Sequence, residues 1–155
     1  MGASPTALNK RGNKVHLDGY TFDSQKECDF YTRFVRGSGA RYEIHPHYLL
    51  EDRHELTGFN TRKVIYTPDV VIYDDSGHIL HVYDVKNGFT AYAIDTSVKL
   101  RFTLFAAKYG IPVEAVVIRK HDFKSIAMGI TKQRSAKEPL ICRDVFYDWR
   151  GAMKL

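Results

Sequence analysis

Three charged residues stand where a strand-forming sequence ordinarily carries apolar or neutral ones: Asp69, Asp84 and Lys86. They belong to two apolar runs, Tyr66-Thr67-Pro68-Asp69-Val70-Val71-Ile72-Tyr73 and His78 to Lys86, separated by Asp74-Asp75-Ser76-Gly77. That arrangement predicts a β-hairpin. Side chains alternate along a strand, so Leu80, Val82, Asp84 and Lys86 are expected on one face. A turn at Asp74 to Gly77 pairs Tyr73 with His78 and sets Asp69 opposite Val82. Asp84 is then its diagonal neighbour, with Cα atoms roughly 7–8 Å apart. Two carboxylates at that spacing can reach one hard cation, and burying them unpaired would be costly. Mg²⁺ suits such a pair, because it takes one or two carboxylates while keeping waters and phosphate oxygens. A cation that lowers the pKa of a bound water is the most direct route to cleaving a phosphodiester. Lys86, two residues beyond Asp84, is placed to orient that water or to neutralise developing charge.

Such a hairpin needs elements around it. A helix is expected from Ser24, where Ser24-Gln25-Lys26-Glu27 forms a capping box. Cys28, Tyr31 and Val35 give it a buried stripe with Phe30 and Phe34 alongside, and Gly37-Ser38-Gly39 ends it. Glu27 therefore has a capping role before any other is invoked. Tyr42 to Leu50 reads as a strand interrupted by His45-Pro46-His47, an edge strand or a bulge. With no matching Cys/His set to complete a tetrahedral zinc site, these histidines and His54 are expected to be structural or surface residues. Glu51 to Lys63 reads as a polar loop, and Val15 to Tyr20 as alternating sequence with a turn at Asp18-Gly19.

Beyond the hairpin, Asn87 to Asp95 is a loop and Thr96 to Tyr109 a helix, with Val98, Phe102, Phe105 and Tyr109 inward and Gly110 as its stop. Val113 to Ile118 reads as a strand buried on both faces, reached by a right-handed parallel crossover. Residues 119–137 form a basic segment of little periodicity. The chain closes on Phe146-Tyr147-Trp149, whose commonest fate is core, with an interface second.

The net charge of +5 favours an anionic partner, nucleic acid ahead of a membrane surface. Cys28 and Cys142 have neither the number nor the spacing of a disulfide framework. The first residues lack the apolar region of a signal peptide, and no apolar run approaches membrane-spanning length, so a cytoplasmic protein is expected. The 155 residues are expected to form a flexible basic arm over 1–14 and a single domain over 15–155. For DNA contacts, Tyr92, Lys99 and Arg101 are the candidates near a scissile phosphate, and Lys124, Lys132 and Arg134 for a wider grip.

Pro68-Asp69 followed fifteen residues later by Asp84-Val85-Lys86, with Glu27 on a preceding helix, resembles the signature of the PD-(D/E)XK nuclease superfamily. Asp18-Gly19 to Glu27, Tyr66-Thr67-Pro68-Asp69 and Asp84-Val85-Lys86 resemble, more narrowly, small phage-type endonucleases of the Holliday-junction-resolvase kind. The likeness covers Val15 to Ile118. It departs at Asn87, which separates the motif lysine from Gly88. It implies an α/β protein with a restriction-endonuclease-like αβββαβ core, a mixed central sheet and a C-terminal extension over 119–155. It further implies that Asp69 and Asp84 hold Mg²⁺ (Mn²⁺ substituting), with the Val85 carbonyl as a further ligand, Glu27 assisting and Lys86 positioning the water. The activity implied is DNA endonuclease on branched DNA. Symmetric cleavage of two strands calls for a homodimer. A nicking or restriction-like enzyme on duplex DNA and a non-catalytic DNA-binding protein are the alternatives.

Overall fold

In the computed structural model, residues 13–152 are described. Of the basic arm expected over 1–14, residues 1–12 lie outside them. The chain opens with a hairpin of β1 (Val15–Leu17) and β2 (Tyr20–Phe22). Asp18 and Gly19 make its two-residue turn, with φ of 53° and 82°. Then come helix α1 (Gln25–Phe30) and a π-helical turn, Tyr31–Val35. Strand β3 (Arg41–Ile44) follows, then an inserted arm of β4 (Tyr48–Glu51), β5 (Glu55–Leu56), β6 (Phe59–Asn60) and β7 (Val64–Tyr66). The chain returns with β8 (Val70–Tyr73), β9 (Ile79–Val85), helix α2 (Thr96–Tyr109), β10 (Val113–Ile118), β11 (Phe123–Met128), β12 (Leu140–Cys142) and α3 (Trp149–Ala152).

Six strands form one mixed sheet in the order β12-β11-β10-β9-β8-β3. Only β9 and β10 pair in parallel, which is why a long element, α2, must connect them. Each face carries a helix. Phe30, Tyr31, Phe34 and Val35 pack with Val70, Ile72, Tyr83, Val85, Val116 and Phe123 on one side. On the other, Phe102 and Phe105 of α2 pack with Val71, Val82, Val113, Ala115 and Ile126. Both faces of the central strands are thus apolar, and the protein is a mixed α/β structure.

Helix α2 and strand β10 have the expected bounds. The Asp95 side chain caps α2 by accepting from the Val98 N–H at 2.9 Å, and Gly110 closes it with φ 74°. Other expectations need correction. The first helix does not run as one α-helix to Gly37: the Arg36 N–H reaches the Tyr31 carbonyl at 2.8 Å, a wider turn that buries Tyr31, Phe34 and Val35 together. Tyr42 to Leu50 breaks at His45-Pro46-His47 as expected, and β3 is an edge strand, but β4 belongs to a different sheet, because Pro46 has no N–H to continue a ladder. Glu51 to Lys63 is not a bare loop. Thr57-Gly58 forms a tight turn, with Gly58 at φ 84°, that pairs Leu56 with Phe59.

The central hairpin differs in register. Pro68 ends β7, so Tyr66 and Val70 belong to different sheets. Within the hairpin Val71 pairs with Val82 and Val70 with Tyr83, not Asp69 with Val82. Tyr73 pairs with Ile79 rather than His78, because the Asp74 carboxylate caps a longer turn by accepting from the Ser76 and His78 N–H groups. The extra residue this leaves on β9 is Leu80, which packs with the opposite cluster from Val82 and so does not share its face. Finally, the basic segment is not outside the core. β11 is buried, extends the sheet beyond β10, and brings β12 with it.

Candidate functional site

The corrected register brings the carboxylates together more directly than a diagonal would. Asp69 stands one residue before the last ladder pair, Val70 with Tyr83, and Asp84 one residue after it. Pro68 releases the chain from β7, and the Asp69 N–H then bonds the Tyr83 carbonyl at 2.9 Å. The Asp69 carboxylate accepts the Val85 N–H at 2.6 Å, which fixes it across the end of β9. Its side chain is only 13% exposed. Burial, the neighbouring Asp84 charge and a hydrogen bond with Glu27 hold this carboxyl well above the usual carboxylate range, against the opposing pull of the Val85 N–H.

Glu27 arrives from α1. Ser24 Oγ accepts the Glu27 N–H at 3.2 Å, and Glu27 in turn accepts the Asp23 N–H at 2.7 Å. The reciprocal arm of the capping box therefore reaches one residue further back than expected. The glutamate is buried, and while it caps the helix it also stands close enough to Asp69 to raise that carboxyl.

The third member was not anticipated. His45 follows β3 with a left-handed backbone, φ 53°, uncommon for a non-glycine residue. Its N–H donates to the Asp69 carbonyl at 3.2 Å. The ring nitrogen Nε2 lies 3.9 Å from Asp69 Oδ1 and is the one buried side-chain polar atom without a hydrogen-bond partner among the described residues. Glu27, His45 and Asp69 each offer one ligand atom, all within 4.8 Å of one another. The expectation that the histidines stand apart from any ligand set rested on searching for a four-fold Cys/His zinc pattern. A mixed set of one imidazole and two carboxylates has no such spacing. The available signal was a histidine at the end of a strand beside a proline.

On the neighbouring face, Asp84 accepts the Tyr66 hydroxyl at 2.7 Å and pairs with Lys86 Nζ at 3.0 Å. Both side chains are nearly buried. Burial first, and then the Asp84 charge, push the Tyr66 phenol well up, so it stays a donor. Lys86 also lies 6.0 Å from the centre of the Phe102 ring. These groups open into a cleft of about 330 Å³ whose other walls are Ile65, Thr67, Val98 and Arg101.

Of the expected residues, Glu27, Asp69, Asp84 and Lys86 meet at one end of β8 and β9, and Arg101 lines the cleft. Val85 contributes its N–H to Asp69. Tyr92 and Lys99 are exposed near the start of α2 but do not line the cleft. Lys124 lies on β11, paired with Ile141, and Lys132 and Arg134 follow in the connection to β12, at the other side of the sheet. Arg134 is engaged locally, its Nε donating to the Glu138 carbonyl at 2.7 Å. No helix among the described residues is long and apolar enough to cross a membrane.

A family model described as "Protein of unknown function (DUF1064)" matches residues 9–125, a span holding every residue of the Glu27, His45, Asp69, Asp84 and Lys86 group. No curated protein and no solved structure matches the chain.

Proposed function

The chain belongs to the DUF1064 family, of unknown function, and from its site we propose a divalent-metal-dependent DNA endonuclease with a restriction-endonuclease-like core. The observation that carries this reading is the meeting of three donor atoms from Glu27, His45 and Asp69, one of them an orphaned buried nitrogen, beside the Asp84–Lys86 pair at a cleft. An acidic pair this crowded is costly without a cation, so the donor set fits one. Mg²⁺, with Mn²⁺ as its substitute, would be held by Glu27, His45 and Asp69, with Asp84 adding charge from the next strand. Such an ion, when bound, lowers the pKa of a water and neutralises phosphate oxygens.

The chain's own residues do the rest. Asp84 pairs with Lys86 Nζ and holds it at the cleft, where it can orient an attacking water and stabilise charge developing on phosphate. Tyr66 fixes the Asp84 carboxylate through its hydroxyl. Arg101, on the opposite wall, is placed to hold the phosphate itself. The net charge of +5 suits a polyanion. We take branched DNA, such as a Holliday junction, as the substrate and a homodimer as the working form, since paired incisions need two sites.

The test is cleavage of a four-way junction and a matched duplex with Mg²⁺, by the wild type and by Asp84→Asn. We expect junction cleavage that Asp84→Asn abolishes while DNA binding persists. Equal cleavage of the duplex would replace the resolvase reading with a nicking or restriction-like one. A wild type that binds the junction without cutting it, with Asp84→Asn behaving the same, would leave a DNA-binding protein without this chemistry.

A further inference from the structure

The arm inserted between β3 and β8 touches the site only at its root, where Tyr66 holds Asp84, and its tip is exposed. Its root is anchored firmly. Tyr48 packs edge-on to Phe105 and Tyr109, with ring centres 5.1 Å apart in each case, and the Tyr109 hydroxyl donates to the Leu49 carbonyl at 2.7 Å. Tyr66 is wedged against Phe102 and Phe105. Its tip has no such support. Leu56 and Phe59 face each other across the Thr57-Gly58 turn, 44% and 66% exposed. A two-stranded hairpin cannot bury its own apolar pair.

The charges of the arm balance in number, Glu51, Asp52 and Glu55 against Arg53, Arg62 and Lys63, but not in placement. Glu51 is paired with His54 at 2.7 Å. Asp52 accepts the Arg53 backbone N–H at 2.8 Å. Arg53, Arg62 and Lys63 have no carboxylate partner among the described residues, and with Asp52, Asn60 and Thr61 they line a groove of about 520 Å³, three cations to one carboxylate. The other end of the arm is the cleft, since Ile65, Tyr66 and Thr67 form its wall beside Lys86 and Arg101. The eight residues from Phe59 to Tyr66 span at most about 25 Å.

Resting on the nuclease reading above, we propose that the arm is a nucleic-acid wedge: Arg53, Arg62 and Lys63 follow the phosphate backbone leaving the cleft, and Phe59, backed by Leu56, stacks on an unpaired base or inserts at a weakened base step. Free cations flanking an exposed aromatic are the combination that grips phosphate while meeting a base face. A second copy of the chain is the poorer occupant. Two-fold pairing of this groove would set three cations on each side against a single lining carboxylate, Asp52, on the other. The wedge accounts for a preference for branched or distorted DNA, in which bases are already unstacked. A fully stacked duplex would have to be opened first.

The experiment uses the full chain carrying Asp84→Asn, so that DNA stays intact, and a four-way junction with 2-aminopurine at the branch. Binding is expected to raise the probe's fluorescence several-fold. Adding Phe59→Ala is expected to remove that rise and weaken junction binding about tenfold, with little change on matched duplex. Phe59→Trp is expected to keep the rise. Phe59 is exposed, so an unchanged unfolding midpoint checks that the fold is intact. A Phe59→Ala protein that still unstacks the probe overturns the wedge. So does one that loses only dimer mass in sedimentation, which would make the arm a self-interface. Both results leave the nuclease reading standing. That reading fails separately, if Asp84→Asn cuts the junction as the wild type does.

Discussion

Asp69 is the residue on which the site's electrostatics turn. Burial, Asp84 and Glu27 all raise its pKa, so in the absence of a cation its ionised form opposes folding. The sign follows directly. A carboxyl whose folded pKa exceeds its unfolded one binds more protons folded than unfolded as pH falls through the raised value. Metal-free protein is therefore expected to gain stability on mild acidification, between that raised pKa and the ordinary carboxylate range, with the gain lost as pH rises through the folded value. Asp69→Asn removes the charge and should flatten this dependence, raising the metal-free stability at neutral pH by about 1–2 kcal/mol. Thermal unfolding in chelator from pH 8 to pH 5 measures both, and a wild type that loses stability over that range would contradict the assignment. His45 gives a second expectation. An imidazole in the donor set favours transition metals over Mg²⁺, so Mn²⁺ should bind more tightly, and His45→Ala should cut that advantage roughly tenfold, about 1.4 kcal/mol, in calorimetric titrations. Asp69, Asp84 and Lys86 were legible because charge inside an apolar run is anomalous. His45 was not, because nothing in H-P-H tells a reader that the chain folds back left-handed onto Asp69.

Among the elements, α2 was legible to the residue because an apolar stripe at helical spacing and a glycine stop agreed, and the structure adds the Asp95 cap at the expected start. The arm and β11 were not. The strands of the arm are only two to four residues long, too short for a period to show, and their pairing depends on a single Thr57-Gly58 turn. β11 carries Lys124, yet Phe123, Ser125, Ile126, Ala127 and Met128 are buried, because β10 on one side and β12 on the other cover it. The chain leaves β11 through Gly129, where α2 comes very close. An added Cβ would lie 2.8 Å from the Phe102 carbonyl carbon and oxygen, at a φ of 83°. Both the contact with rigid backbone and the left-handed conformation penalise a side chain. Gly129→Ala is expected to destabilise by about 2–4 kcal/mol. Because Phe102 lies beside Lys86 and the residue before it, Arg101, lines the cleft, the same change should lower cleavage more than it lowers DNA binding. Chemical denaturation alongside the junction assay separates these two effects.

Across the whole molecule, the C-terminal segment ties the sheet together rather than trailing from it. Glu114, the one polar residue in β10, is 1% exposed and serves three partners: His81 from β9, Ser125 Oγ from β11 at 2.9 Å, and the Tyr147 hydroxyl. Tyr147 also receives a hydrogen bond from the Tyr83 hydroxyl at 3.0 Å. Burial and then the Glu114 charge push the Tyr147 phenol well up, so it remains a donor across the working pH range. The residue that spoiled an apolar strand in the sequence is therefore the hub of a network joining three strands to the chain's end, and Tyr147 and Trp149 are interior while Phe146 is 59% exposed. No sequence pattern announces this, since its members are separated by up to 66 residues, from His81 to Tyr147. A buried carboxylate stripped of one partner keeps its full desolvation cost. Tyr147→Phe, which deletes one hydroxyl and leaves the ring in place, is expected to cost about 1–3 kcal/mol, or roughly 2–10 °C in the unfolding midpoint. Adding Glu114→Gln should recover part of that loss, because the buried charge is gone. A Tyr147→Phe protein as stable as the wild type would mean that Ser125 and His81 suffice for Glu114, and that the end of the chain contributes by packing alone.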